Sequence, residues 1–206
     1  MFSLDCHVFG PYKTCVYVLT SIEENISVII DAAPGSFEGL KDQVAKRDIH
    51  LFLTHGHWDH ISDAAKFQHE LNAHIYAHPS DAMWWSNQVS LFPLVETFTP
   101  DTYVKDFVDC GSLHIQTLHT PGHTAGQIAL YIESMQCVFV GDSLFYKTIG
   151  RTDLPGANIN QLKDSIQHTL YKLPDHTRVY PGHGLPTRIG VEKANNLMVR
   201  TDSSSI

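Results

Sequence analysis

Apolar residues fall along this chain in short runs, each closed by a polar or glycine-bearing break. Val16–Leu19 and Ser27–Asp31 are β-branched or apolar and flank the polar turn Ser21–Asn25, which predicts two strands. Asp31-Ala32-Ala33-Pro34-Gly35 reads as a strand end and a turn. Phe37 to Lys46 carries Leu40 and Val44 on one helical face, and Ile49 to Leu53 reads as a buried strand. A helix over Ile61–Leu71 and a short strand at His74–Ala77 follow, and Pro79-Ser80-Asp81 opens a short helix with Met83, Trp84 and Trp85. Leu91–Thr102 has two prolines and no period, which predicts an irregular loop. Strands return from Phe107, at Leu113–Leu118, Ile128–Ile132 and Cys137–Val140, the last two around the turn Glu133-Ser134-Met135. Ile159, Leu162, Ile166 and Leu170 keep a helical period within Ile159–Leu173. Arg178-Val179-Tyr180 reads as the last strand and Val191–Val199 as the last helix, before a polar tail at 201–206 expected to be disordered.

Strands and helices thus occur in two halves, either side of the long loop. With 206 residues, 43% of them hydrophobic and 17% charged, the chain suits a single domain with a substantial core. The net charge of -8, with no Lys/Arg run, argues against a nucleic-acid partner. Met1-Phe2-Ser3-Leu4-Asp5-Cys6 has neither the basic nor the apolar region of a secretory leader, and no apolar run approaches membrane-spanning length. The expectation is a cytoplasmic protein with no membrane partner. Cys6, Cys15, Cys110 and Cys137 form no C-x-x-C pair and read as reduced core thiols. The fourteen histidines are the outlier in the composition.

Those histidines gather where strands end. Ile49–Leu53 runs into Thr54-His55-Gly56-His57-Trp58-Asp59-His60. In an extended chain residues i and i+2 share a face, so His55 and His57 point at one spot. The turn from strand into helix then swings Asp59 and His60 beside them. Imidazole and carboxylate are donors that zinc, iron and manganese accept. The pattern recurs. Leu113–Leu118 ends at His119-Thr120-Pro121-Gly122-His123, where Pro-Gly forces a turn that presents His123, with His119 read as a packing or supporting residue. Cys137–Val140 delivers Gly141-Asp142, and Arg178–Tyr180 runs into Pro181-Gly182-His183. Beside so many ligands, Asp142 reads as a bridge between two metals rather than a helix cap. Asp31 either orients a ligand histidine or forms the turn it stands in. His69, His74, His78 and His168 have no partner at fixed spacing and read as surface or core-edge residues. The Trp84 group is core or the lining of a substrate mouth.

His55-x-His57-x-Asp59-His60, then His123, Asp142 and His183, resemble the seven-ligand set of the metallo-beta-lactamase superfamily. Thr120-Pro121-Gly122-His123-Thr124, Gly141-Asp142-Ser143-Leu144-Phe145 and Gly150-Arg151-Thr152-Asp153-Leu154-Pro155-Gly156 resemble its small glyoxalase-II-like hydrolases. The likeness runs from about Tyr12 to about Asn196. It implies an α/β fold, a four-layer αββα sandwich in one domain over 1–200, with metals at one edge between two sheets. It implies that His55, His57 and His123 hold one metal, that Asp59, His60 and His183 hold the other, and that Asp142 bridges them. The cofactor implied is zinc, two ions per chain, with iron or manganese accepted by the same ligands. Two cations about 3.5–4 Å apart supply a hydroxide near neutral pH, and Asp59 can aim it. The activity implied is hydrolysis of a small-molecule thioester or related acyl compound, with oligomeric state left open. Arg151 and Tyr146 are the substrate-binding candidates, Arg151 for an anionic group or in a structural ion pair, Tyr146 as a pocket hydroxyl or in packing. Glyoxalase II proper carries a Tyr where Asp153 stands, another where Leu185 stands, and an added C-terminal helical domain where about one helix follows here, so glutathione recognition is not implied. Gly150-Arg151-Thr152-Asp153 also resembles the mononuclear iron dioxygenases that act on glutathione persulfide. A catalytically silent metal-binding module is the remaining alternative.

Overall fold

A computed structural model describes residues 1–86 and 95–200. The predicted tail, and positions 91–94 of the predicted loop, lie outside the described residues. The first half contains β1 (Ser3–Phe9), β2 (Thr14–Ser21), β3 (Ile26–Ile30), α1 (Ser36–Val44), β4 (Asp48–Phe52), α2 (Trp58–Ile61), α3 (Ala64–Leu71), β5 (His74–Ala77), α4 (Ala82–Trp85) and β6 (Thr102–Tyr103). The second contains β7 (Phe107–Cys110), β8 (Leu113–His119), β9 (Ile128–Ile132), β10 (Cys137–Gly141), β11 (Leu144–Phe145), β12 (Thr148–Ile149), α5 (Ile159–His168), β13 (Arg178–Pro181), β14 (Thr187–Arg188) and α6 (Ile189–Asn195).

Each half builds one six-stranded sheet, in the orders β1-β2-β3-β4-β5-β6 and β14-β13-β10-β9-β8-β7. The period-2 alternation along each strand explains why the two sheets stack. Val16 and Val18 of β2, Ile29 of β3 and Ile49 and Leu51 of β4 face outward, into a cluster with Phe37 and Leu40 of α1 and Phe67 of α3. Their neighbours Tyr17, Leu19, Val28, Ile30 and Phe52 face inward, against Ile115, Leu130, Ile132 and Phe139 of the second sheet. Ala129, Val138, Val140 and Val179 point out of that sheet against Leu162 and Ile166 of α5. Strands buried on both faces read as continuous apolar runs, and the outcome is the four-layer αββα sandwich.

Several elements differ from the sequence reading. β1 is absent from the sequence reading: on the sheet's free edge it keeps only Leu4 and Phe9 against the cores, so it shows no apolar run. The helix expected over Ile61–Leu71 is two helices, and the first begins at Trp58. They separate at Asp63, whose Oδ2 accepts the Gly35 and Phe37 amides at 2.8 and 3.1 Å and so caps α1 instead. The last two helices are shorter than their apolar spacing suggests. α5 gives way to a 3-10 turn at Leu170–Lys172, and α6 stops at Asn195.

The sheets are joined at one edge. Ile128 N–H donates to the Thr54 carbonyl at 2.8 Å, Cys15 N–H to the Gly182 carbonyl at 2.7 Å, and Tyr17 Oη to the Pro181 carbonyl at 2.7 Å. The segments that follow β4, β8, β10 and β13 all reach this edge.

Candidate metal centre

Seven histidine and aspartate side chains meet there. His57 precedes α2 in extended conformation, and the first turn of that short helix carries Asp59 and His60. His123 follows a turn in which Gly122 has φ 132 and lies so close to Leu162 that any Cβ would overlap its backbone. At Gly182 the reason for glycine is different: a Cβ would strike the Asp142 carboxylate and His60. The repeated Pro-Gly-His pattern therefore serves a left-handed turn in one copy and a close approach in the other.

Donor atoms of His55, His57 and His123 lie within 4.8 Å of one another, and so do those of Asp59, His60 and His183. Asp142 stands between the two groups. Its Oδ1 is 3.5 Å from His60 Nε2, and its Oδ2 is 3.6 Å from His123 Nε2 and 3.4 Å from His183 Nε2. His57 Nδ1 approaches His123 Nε2 at 2.8 Å.

The outward ring nitrogens explain the inward ones. His60 Nδ1–H donates to Asp31 Oδ2 at 2.7 Å, His123 Nδ1–H to the Arg151 carbonyl at 2.8 Å, and His183 Nδ1–H to the Tyr12 carbonyl at 3.1 Å. His55 Nδ1 lies 3.1 Å from Thr54 Oγ1, whose own proton goes to Asp31. Each contact orients a ring so that Nε2 faces the centre. Asp31 thus orients His60 directly and His55 through Thr54, one of the two readings its sequence position allowed. Asp81 does for the loops what Asp31 does for the rings. It accepts Gly56 N–H and Thr124 Oγ1–H on Oδ2, at 2.8 and 2.7 Å, and Gly126 N–H on Oδ1 at 2.7 Å.

Charge follows from burial and proximity. Burial, then repulsion from the neighbouring imidazoles, holds His55 well below the usual histidine range and lowers His57 to about 3. Burial also lowers His123. Burial works against the shift at Asp142, but His60 and His183 lower it to about 2 all the same. Asp59 is likewise lowered against burial by His60, His183 and Thr14, whose Oγ1–H donates to Asp59 Oδ2 at 2.9 Å. The same carboxylates, again opposing burial, raise His60 to about 9 and His183 to about 11.

The donor set fits a cation on a further observation. His55 Nε2 and Asp142 Oδ1 are buried with no hydrogen-bond partner among the described residues. A buried lone pair left unmatched costs about 1–3 kcal/mol, and a divalent cation held at the centre would offset that cost.

Residues 10–183 match the family model described as the metallo-beta-lactamase superfamily. The chain belongs to that superfamily. The superfamily binds divalent metals, and metallo-hydrolases are among its members. Among its relatives in the superfamily, the probable metallo-hydrolase YqgX of Bacillus subtilis (strain 168) is 33% identical over 91% of this chain and 92% of its own length. The hydroxyacylglutathione hydrolase GloC of Haemophilus influenzae (strain ATCC 51907 / DSM 11121 / KW20 / Rd) is 30% identical over 88% of this chain and 91% of its own length. Among solved superfamily structures, BLEG-1 B3 metallo-beta-lactamase superposes with TM-score 0.85 at 28% identity, covering 96% of this chain and 99% of its own. TTHA1623 in a di-iron-bound form gives 0.82 at 30%, covering 95% and 100%. ETHE1 from Myxococcus xanthus gives 0.80 at 30%, covering 96% and 83%.

A cavity of about 390 Å³ opens over the centre. His57, Asp59, His123, Asp142 and His183 form its floor, and Tyr12, Phe145, Leu154 and Arg151 its walls. The Arg151 guanidinium is exposed and grips Asp153 through two hydrogen bonds, Nε to Oδ1 at 2.7 Å and Nη2 to Oδ2 at 2.8 Å. Tyr146 is not among the residues that line this cavity. Phe145 ends β11 and lines the cavity, whereas Tyr146, in the turn that follows, lines a separate groove with Tyr180 and Val191. Trp84 is buried behind Gly56 with its ring 4.7 Å from that of His57, so it backs the ligand loop rather than lining the mouth. His119 is exposed and stacks on His78 at 4.2 Å. His69 and His168 are also exposed.

Sequence reasoning missed Tyr12, Thr14 and Asp81. Tyr12 and Thr14 had no signal, because their contacts are made by a backbone carbonyl and a small hydroxyl. Asp81 had a weak one, an acidic residue in a turn followed by an apolar helix.

No helix among the described residues is long and apolar enough to cross a membrane.

Proposed function

We propose that this chain is a two-metal hydrolase of thioesters or related acyl compounds. The observation that carries the reading is the pairing of two three-donor groups across one carboxylate, Asp142, beneath a cavity with apolar walls. His55, His57 and His123 would hold one ion, Asp59, His60 and His183 the other, with Asp142 touching both. Zinc is the ion these donors and its availability favour, and iron and manganese suit the same set. Held there, two divalent ions would supply a nucleophile from water near neutral pH and polarise the scissile carbonyl.

The chain's own residues do the rest. Asp59 is ionised, and its carboxylate, steadied by Thr14, accepts a hydrogen bond from the attacking water and aims it. Tyr12, Phe145 and Leu154 pack an acyl chain and exclude solvent from the carbonyl. Arg151 spends two of its five N–H donors on Asp153 and keeps three for an anionic group at the cavity rim. A thioester suits the site because its thiolate leaving group is stable near neutral pH and needs little help from an acid. The 30% identity with GloC, named for hydroxyacylglutathione hydrolysis, supports the same class.

The test pairs elemental analysis with a substrate panel. Protein loaded with zinc, iron or manganese is offered acyl-glutathione, acyl-coenzyme A and lactone substrates. The expected result is two ions per chain and thioester hydrolysis. Two ions per chain with no turnover on any of them would falsify the acyl-hydrolase reading. The resemblance of Gly150-Arg151-Thr152-Asp153 to the mononuclear iron dioxygenases favours one other reading, a dioxygenase acting on glutathione persulfide. One iron per chain and oxygen uptake with that substrate would select it.

A further inference from the structure

The register of β1 on β2 sets Cys6 opposite Tyr17 and Val8 opposite Cys15. Alternation then places Cys6, Cys15 and Tyr17 on one face of the sheet, with the two cysteines on a diagonal. Cys6 is exposed on the sheet's free edge strand, and Cys15 is buried. Hydrogen bonding with Cys15, supported by Tyr17 and opposed by burial, lowers the Cys6 thiol to about 7. The same contact, reinforced by burial, raises Cys15. The other two cysteines are buried, and burial pushes Cys110 and Cys137 up to about 12. One accessible thiolate-forming cysteine with a second thiol beside it is the arrangement of an attacking and a resolving sulfur.

This pair is coupled to the metal centre. Cys15 N–H donates to the Gly182 carbonyl at 2.7 Å and its thiol to the Gly184 carbonyl at 3.9 Å, the residues either side of His183. Thr14, next in the chain, holds Asp59 through its hydroxyl and forms a backbone bridge with His183.

We propose that Cys6 and Cys15 form a peroxide-reactive dithiol site that closes to a cross-strand disulfide and loosens the metal centre through Thr14 and Cys15. The Cys6 thiolate attacks a hydroperoxide. The O–O bond breaks, Cys6 becomes a sulfenic acid, and the rest of the peroxide leaves as hydroxide or alkoxide. Cys15 then attacks the Cys6 sulfur, the S–O bond breaks, and the Cys15 proton leaves with the oxygen as water. Two electrons pass from the thiol pair to the peroxide. Diagonal positions on paired strands lie about 7–8 Å apart, beyond the usual ~4.4–6.8 Å Cα span of a disulfide. Closure therefore requires β1, held on one side only, to slide along β2 and draw Cys15 off the Gly184 carbonyl. A bond formed under such strain is readily reduced again by a small thiol.

The site does not depend on the acyl-hydrolase reading, and its first readout is mass rather than turnover. Metal-loaded protein is treated with hydrogen peroxide, quenched, and analysed by intact mass and peptide mapping. The expected result is a Cys6–Cys15 cross-link, a mass lower by two hydrogens, and reversal by dithiothreitol. Metal retention against a chelator should fall roughly tenfold in step with the cross-link. Cys6→Ser should abolish both changes. Cys15→Ser should leave a Cys6 sulfenic acid that dimedone traps. Wild-type protein that forms no Cys6–Cys15 link overturns the proposal. So does equal peroxide-driven metal loss in wild type and Cys6→Ser, since the ligands themselves would then be the target.

Discussion

Asp31→Asn changes one atom at the hub of the hydrogen bonds behind the rings, and its effect can be worked from geometry. Asp31 Oδ1 accepts Thr54 N–H at 2.8 Å, and Oδ2 accepts His60 Nδ1–H at 2.7 Å. The residue sits at φ 66, a left-handed conformation that asparagine also tolerates, so the backbone is not the variable. The amide oxygen of Asn can keep the Thr54 amide. Its NH2 group then faces His60 Nδ1, and two donors meet. The ring relieves this by moving its proton to Nε2, the nitrogen 3.5 Å from Asp142 Oδ1 that should offer a lone pair to a metal. Loss of one charge-assisted hydrogen bond is worth about 1.5–3 kcal/mol. Substitutions that support a ligand histidine typically weaken metal binding about 10–100-fold, which is about 1.4–2.7 kcal/mol. The two figures agree. Affinity is read by competition with a chromogenic chelator, and the His60 tautomer by nitrogen NMR of the imidazole. In a double-mutant cycle, Asp31→Asn should have little further effect once His60→Ala is present. If Asp31→Asn binds both ions within about twofold of wild type and His60 keeps its proton on Nδ1, the orienting role assigned to Asp31 is wrong.

Four other outcomes are expected. Asp142→Ala, which removes the carboxylate between the two donor groups, should retain at most one ion per chain by elemental analysis, and two ions at full activity would refute the ligand assignment. Gly182→Ala should fold by circular dichroism yet bind metal poorly, because its Cβ meets Asp142 and His60. Glu192 is buried and accepts Lys147 N–H, Thr187 Oγ1–H and Asn196 Nδ2–H at 2.9, 2.6 and 2.9 Å. Glu192→Ala should therefore lose about 3 kcal/mol or more in urea denaturation while metal affinity stays put. Alkylation of Cys6 by iodoacetamide should rise with pH through about 7, since its thiol is lowered. In Cys15→Ser the midpoint should move upward, toward an ordinary thiol; an unmoved midpoint would show that Cys15 is not what lowers it.

Much of this molecule was legible in the order of its residues. The strands are short, doubly buried and β-branched, so each announced itself as an apolar run, and the polar residue types that closed the runs at His55, His123, Asp142 and His183 named the donors. Strand geometry is a local property, and a residue one or two positions past a strand end has few places to go. The edge strand β1 was invisible for the converse reason, since a strand with little to bury leaves no apolar period.

The support of the donors belonged to the tertiary structure alone. Thr14 reaches Asp59 across 45 residues, Tyr12 offers its carbonyl to His183 across 171, and Asp81 holds together loops around Gly56 and Gly126. A threonine, a backbone carbonyl and a turn aspartate carry no pattern of their own. Their roles exist only once two sheets bring their edges together and buried donors must find acceptors. Arg151 makes the same point at close range. Its charge was evident, but its double hydrogen bond to Asp153 two residues away is a matter of side-chain geometry at the cavity rim. Local sequence decided which atoms could hold a metal, and the folded chain decided which way each of them faces.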